Sequence, residues 1–325
     1  MKIALIGPGI MTIPPNGWGA VEILIWDYYN ELSKLNHNVS IINKIRNNPQ
    51  EQSRYDTKYC QELIKEINEG NYDFIHLHYD SLYHILPFLT TKQIAFTSHY
   101  PYIDNDSKHN NDGFTNIFKF MINNNKYINF VLAQKDINFL IQNGADSKYL
   151  FLLENGIDTR SFIFKEKGIL MNKTIYLGQI NERKGQHKYC YLNNIDIIGP
   201  DGNHNLLNNN YKGLWSRNDV QTKLTEYGNL LLLSKGEADP LVVKEALMCG
   251  LGVVINATSS KNLSSYCDFI TIIEDDKMDD LIYIQNKMDE NRQKSILLKN
   301  EIRKYAEDNF SWNIFIKKYI NTFSK

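Results

Sequence analysis

Two glutamates, Glu237 and Glu245, stand with seven residues between them in Lys235-Gly236-Glu237-Ala238-Asp239-Pro240-Leu241-Val242-Val243-Lys244-Glu245-Ala246-Leu247-Met248-Cys249-Gly250. Pro240 suits the first turn of a helix, where a missing N–H costs nothing. Gly250 suits the helix end, where a left-handed residue closes the last turn. Glu237 then falls in the loop at a strand's carboxyl end and Glu245 inside the helix. Backbone N–H groups near Leu241 and Val242 form an anion site suited to phosphate. Carboxylates on either side of that site could grip the hydroxyls of a sugar and a ribose. Spacing alone is met equally by a helix start with two surface acids.

A second group is Tyr176-Leu177-Gly178-Gln179-Ile180-Asn181-Glu182-Arg183-Lys184-Gly185, a strand followed by a turn with two cations. Arg183 and Lys184 suit a diphosphate, the more so as it leaves with growing negative charge. A solvated surface turn has the same look. A third is Ile13-Pro14-Pro15-Asn16-Gly17-Trp18-Gly19-Ala20-Val21-Glu22, where Gly17 and Gly19 leave backbone N–H groups open at a helix start. Gly7-Pro8-Gly9 invites a dinucleotide reading, but Thr12 stands where the third glycine belongs. Asn43 and Lys44 stand where an acid should end the second strand, so a nicotinamide site is set aside. A fourth is His99, leaving a strand's carboxyl end in Ile94-Ala95-Phe96-Thr97-Ser98-His99. His76 and His78 are read as lying on opposite faces of one strand, and so as no metal pair. Asp104-Asn105-Asp106 mimics a metal-binding D-x-D but sits in a polar loop and is read as coincidence.

Short apolar runs alternate with longer amphipathic stretches around these groups. Strands are expected at 2–6, 39–42, 74–78, 94–98, 130–133 and 150–153, with helices at 21–35 and 59–69 among them. After a linker at 155–172 the series restarts, with strands at 174–177, 195–198, 230–233, 252–255 and 271–273 and helices at 220–227 and 241–249. Residues 203–212 read as an exposed Asn-rich loop, and the chain is mostly helical after Asp279. Alternation of this kind makes parallel, doubly wound sheets. Two such domains in tandem are expected to face a central cleft, with ligands at the carboxyl ends of their strands.

Glu237 and Glu245 resemble the E-x7-E motif of the family 4 retaining glycosyltransferases, which have the GT-B fold, and Glu245-Ala246-Leu247-Met248-Cys249-Gly250 with Gly252-Val253-Val254 resembles the stretch around its second glutamate. The resemblance implies that Glu245 holds the ribose of a nucleotide and Glu237 lies against the donor sugar. Gly178, Lys184 and Gly185 match the family's G-R-x4-K-G, but Gln179 replaces its arginine, so Arg183 is the alternative phosphate contact beside Lys184. The loop with Gly17 and Gly19 resembles the one that faces the diphosphate and acceptor, and His99 stands where the family has a histidine at the donor sugar. Asn155-Gly156-Ile157-Asp158 with Phe162 resembles the interdomain stretch, and Phe310-Ser311-Trp312 the opening of a closing helix. The implied plan is an acceptor-side domain at 1–155, a nucleotide-sugar domain at 156–309, and a C-terminal helix at about 310–325 packing back on the first. The implied activity moves a sugar, hexosyltransferase-like, from a nucleotide-diphosphate sugar to an acceptor hydroxyl with retention of anomeric configuration. No cofactor or metal is called for, since Lys184, Arg183 and a helix N-terminus can do the electrostatic work. Rival readings are a sugar-nucleotide epimerase of the same fold and a non-catalytic sugar- or nucleotide-binding relative.

Composition narrows the partners. The 325 residues carry 36 Lys+Arg against 37 Asp+Glu, a net charge of −1, which argues against nucleic acid as partner. The 4 cysteines are scattered and fit a reducing, cytoplasmic setting. Acceptors in keeping with the resemblance are a glycan, a lipid-linked sugar or another hydroxyl compound in glycan biosynthesis. Peripheral membrane contact through the aromatic stretch 114–130 is weighed against a core helix there.

Overall fold

A computed structural model describes residues 1–54, 56–201, 209–264 and 266–323. The chain divides into two compact units. The first comprises Met1–Pro15, Gly19–Asn155 and the segment from Asn313 onward; the second comprises Asn16–Trp18 and Gly156–Trp312.

The first unit contains strands β1 (Lys2–Ile6), β2 (Asn38–Ile42), β3 (Phe74–Leu77), β4 (Gln93–Thr97), β5 (Ile128–Val131) and β6 (Leu150–Leu152). Its helices are α1 (Ala20–Lys34), α2 (Pro49–Arg54), α3 (Thr57–Glu69), α4 (Asp106–His109), α5 (Thr115–Ile122) and α6 (Gln134–Gln142), with a 3-10 segment at Asp80–Phe88. The strands pair in parallel in the order β2-β1-β3-β4-β5-β6. After Lys2, β1 is an apolar run because both faces of a parallel sheet are covered, and all of β3 is buried, His76 included. Phe114, Ile117, Met121 and Tyr127 lie in the hydrophobic core. The stretch 114–130 is therefore not a single core helix: it supplies core residues from α5, β5 and the loop between them.

The second unit contains β7 (Leu170–Leu177), α7 (Gln186–Tyr189), β8 (Ile195–Ile198), α8 (Arg217–Lys223), β9 (Tyr227–Leu232), α9 (Leu241–Met248), β10 (Gly252–Asn256), β11 (Ile270–Ile273), α10 (Leu281–Leu297) and α11 (Lys299–Phe310). Its sheet is also parallel, in the order β11-β10-β9-β7-β8. In both sheets the order of strand addition reverses after the first two strands. The switch point lies between β1 and β3 in one unit and between β7 and β9 in the other, and such points are where doubly wound sheets bind ligands.

The structure changes several sequence expectations. The helix expected over 220–227 ends at Lys223, passes through a 3-10 turn at Leu224–Glu226 and gives way to β9 at Tyr227, because Tyr227–Leu232 is buried throughout and pairs in the sheet. The linker ends early, since β7 begins at Leu170. Of the expected exposed loop at 203–212, residues 203–208 lie outside the described residues. Its far end is a sheet edge, where Tyr211 bridges to Ile197 and the Lys212 N–H donates to the Ile197 carbonyl at 2.9 Å. The last helix, α12 (Trp312–Phe323), places Tyr319 in the first unit, where its hydroxyl is 3.0 Å from His76 Nδ1.

Candidate active site

The second unit's switch point gathers the cations and one of the two glutamates. The turn after β7 carries Gly178 to Gly185, and the loop after β9 carries Ser234 to Pro240. Lys184 Nζ donates to Glu237 Oε1 at 2.8 Å, and Arg183 NH1 donates to the same oxygen at 2.9 Å. Arg183 also donates to the Gly236 carbonyl. Burial pushes the Glu237 carboxyl up, but the charges of Lys184 and Arg183, with hydrogen bonds from Lys184 and Ser234, outweigh it and hold the group below the ordinary carboxylate value. Two cations against one carboxylate leave the cluster one positive charge.

Backbone and a buried tyrosine fix the two loops to each other. The Lys235 N–H donates to the Arg183 carbonyl at 2.8 Å. Tyr176, fully buried in β7, donates its hydroxyl to the Lys184 carbonyl at 2.5 Å and accepts from the Leu233 N–H at 3.2 Å. Asn181 Oδ1 accepts the Lys184 N–H at 2.9 Å. Gly178 has φ +154°, and a Cβ there would meet Lys184 Cδ at 3.3 Å. The glycine lets the lysine stem lie flat across the strand end. Gln179 is exposed and contributes its carbonyl, which accepts from Gln186 Nε2 at 3.0 Å.

The helix that follows carries the other glutamate. α9 starts directly after Pro240, which offers no side-chain cap, so the first N–H groups, at Leu241 and Val242, receive no side-chain cap from it. Leu241 is buried and Val242 half-buried. Glu245 is buried and accepts from Arg217 NH1. Arg217 opens α8, whose Ser216–Asp219 capping box fixes that helix start, and its guanidinium lies 5.2 Å from the Phe162 ring centroid. Lys244 and Asp239 form a second buried pair at 2.7 Å, each side chain 2% exposed. Sequence reading missed Arg217, Lys244 and Tyr176. The buried Lys244 beside the motif glutamate was the available signal, because a lysine in an otherwise apolar helix needs a partner.

The remaining expected residues lie as follows. Gly17 packs against the Trp215 carbonyl, 3.1 Å from where its Cβ would be, within the second unit. Gly19 is the N-cap of α1 with φ 125°. The start of α1 is not open as expected. Glu22 is buried, which raises its pKa, while its carboxylate takes hydrogen bonds from its own N–H and that of Met11. His99 is half-buried just after β4, its ring 6.0 Å from that of His78. His76 and His78 do not lie on opposite faces: their ring centroids are 3.8 Å apart. Residues i and i+2 of a strand share a face, so the expectation had the period reversed. Asp104 pairs with Lys135 at 2.7 Å. Among the described residues, no group of three or more His, Cys, Asp or Glu is arranged to hold a metal ion.

No family model and no curated protein matches the chain. Solved structures do. Sucrose-phosphate synthase from Thermosynechococcus elongatus is 13% identical over 99% of this chain and 98% of that one, with a TM-score of 0.81. HepE from Anabaena, solved with UDP-glucose, is 16% identical over 100% and 99%, with a TM-score of 0.75. The chain has the GT-B fold. WaaG, a glycosyltransferase involved in lipopolysaccharide biosynthesis, has a TM-score of 0.68 at 13% identity over 94% of this chain and 95% of that one. Among the described residues no helix of this GT-B chain is long and apolar enough to cross a membrane.

Proposed function

We propose that the chain is a glycosyltransferase that moves a sugar from a nucleotide-diphosphate sugar to an acceptor hydroxyl with retention of configuration, without a metal. The observation that carries this reading is the Lys184–Glu237–Arg183 cluster at the β7/β9 switch point, with Glu245 on the helix that leaves it. In this reading Glu245 takes the ribose hydroxyls, and the N-terminus of α9 takes a phosphate. Arg183 and Lys184, already held in place by Glu237, meet the leaving diphosphate. A positive cluster fixed before the reaction stabilises developing charge without reorganising. Glu237 takes the donor sugar, His99 keeps the role that the resemblance implies for it, and the departing phosphate assists loss of the acceptor proton. Binding and positioning carry the rest of the rate. HepE was solved with UDP-glucose, which makes a uridine donor the first to try.

The test is turnover of a panel of nucleotide sugars with hydroxyl acceptors, with and without EDTA, and NMR of the product's anomeric centre. Release of a nucleoside diphosphate, a glycoside of unchanged configuration and no effect of EDTA are expected. An isomerised sugar in place of a glycoside would make the chain an epimerase. Nucleotide binding with no turnover would make it a binding protein.

A further inference from the structure

Arg46 lies in the turn after β2 and is 4% exposed. Its N–H donates to the Gly9 carbonyl, after β1, at 2.8 Å. Its NH1 donates to the Pro49 carbonyl at 2.5 Å, and its guanidinium carbon lies 4.7 Å from the centroid of Tyr79, after β3. Arg46 is thus tied through its backbone to the turn after β1 and through its guanidinium to the turn after β3, at the switch point of the first sheet, where open parallel sheets bind ligands. Gly9 makes this close fit: with φ +66°, a Cβ there would lie 2.2 Å from the Lys44 carbonyl and 3.2 Å from Arg46 Cγ.

The other two guanidinium nitrogens, Nε and NH2, are buried and have no acceptor among the described residues. Acids near in the chain are engaged elsewhere. Glu62 pairs with Lys44, Asp56 accepts the Tyr59 N–H at 3.0 Å, and Glu51 accepts from Asn48 at 2.9 Å. A buried guanidinium with orphaned donors and no carboxylate is costly unless a ligand completes it. Nε and NH2 lie on one edge of the guanidinium, the two-pronged edge that pairs with a carboxylate or a phosphate. NH1, held by Pro49, keeps that edge in one orientation.

We infer that Arg46 is an anion receptor for the phosphate or carboxylate group of a small acidic ligand at the β1/β3 switch point. The half-buried Tyr79 ring covers one face of the guanidinium and leaves the donor edge, which lies in the guanidinium plane, for the ligand. On the transferase reading, on which this last step rests, the acidic ligand is the acceptor, because the donor's phosphates are assigned to the second unit.

The experiment is thermal unfolding of the full chain in inorganic phosphate and, separately, acetate, at matched ionic strength with chloride as control. At least one anion is expected to raise the melting temperature saturably, and which one does so separates a phosphate from a carboxylate ligand. Arg46→Met is expected to lose that shift without melting lower in chloride, since it removes an uncompensated buried charge. Arg46→Lys, which keeps the charge but loses the two-pronged edge, is expected to need at least tenfold more anion. No shift with either anion in the wild type, or an unchanged anion response in Arg46→Lys, overturns the inference. A parallel titration with a panel of nucleoside diphosphates, UDP first, keeps the two readings apart. UDP stabilisation without an anion shift sinks the receptor alone, whereas an anion shift with no stabilisation by any nucleoside diphosphate sinks the donor reading alone.

Discussion

Removing the Lys184 ammonium tests the charge cluster from two sides. Its Nζ lies 2.8 Å from Glu237 Oε1, with the two side chains 11% and 10% exposed. Breaking a buried pair by deleting one partner costs about 3–5 kcal/mol when the other charge is left alone. Here Arg183 stays 2.9 Å from the same oxygen, so the stability cost of Lys184→Ala should lie at or below the low end, about 2–3 kcal/mol. Turnover should fall further. A fixed donor aimed at charge that develops only in the transition state is worth about 10²–10³ in turnover, with a smaller change in donor binding. Gln179→Ala should cost much less, since that side chain is exposed and neutral. Urea unfolding gives the first quantity, and steady-state release of nucleoside diphosphate at a temperature where both variants are folded gives the second. Normal turnover in Lys184→Ala with a dead Gln179→Ala would refute the assignment of this turn.

The buried pair Asp239–Lys244 yields a sharper stability contrast. Lys244→Ala should destabilise by about 3–5 kcal/mol by stranding the aspartate, whereas the double change Asp239→Leu, Lys244→Met should recover most of it; urea midpoints decide. Acid should weaken the first unit before carboxylates titrate. Burial holds His76 and His78 well below 6.5, so their contribution is complete above pH 6.5 and is lost as the pH falls below it, when the unfolded chain takes up protons that the folded one refuses. Each histidine should cost about 1.4 kcal/mol per pH unit in that window. His78→Phe should flatten the slope by one histidine's share without breaking a hydrogen bond, because neither ring nitrogen of His78 has a partner among the described residues. An unchanged slope in melting temperature between pH 6.5 and 5 would contradict this.

What could be read from the sequence follows from what is local. β1, β10 and α9 were legible because a parallel strand buried on both faces is an apolar run, and because Pro240 and Gly250 punctuate the helix. Val220–Tyr227 was misread because Val220, Leu224 and Tyr227 fit a helical period while tertiary pairing claims Tyr227 for the sheet. Glu237, Lys184 and Arg183 were singled out by type and spacing, but their mutual contact joins positions 53 and 54 residues apart, which no local pattern reports. Arg217 reaches Glu245 across 28 residues, and Arg46 became visible only as an orphaned guanidinium. The face shared by His76 and His78 was within reach of strand geometry and was misjudged.

The central claim is that Glu245 holds the ribose of a nucleotide donor, and calorimetric titration of nucleoside diphosphates into the wild type and Glu245→Ala tests it most directly. A buried carboxylate that accepts from two ribose hydroxyls contributes roughly 1.5–3 kcal/mol per charged bond. Its exchange of the Arg217 contact for those hydroxyls takes back part of that gain. Saturable binding of at least one nucleoside diphosphate is expected, weakened on the order of tenfold or more in a folded Glu245→Ala. No binding of any nucleoside diphosphate, or equal affinity in the two proteins, would contradict the account.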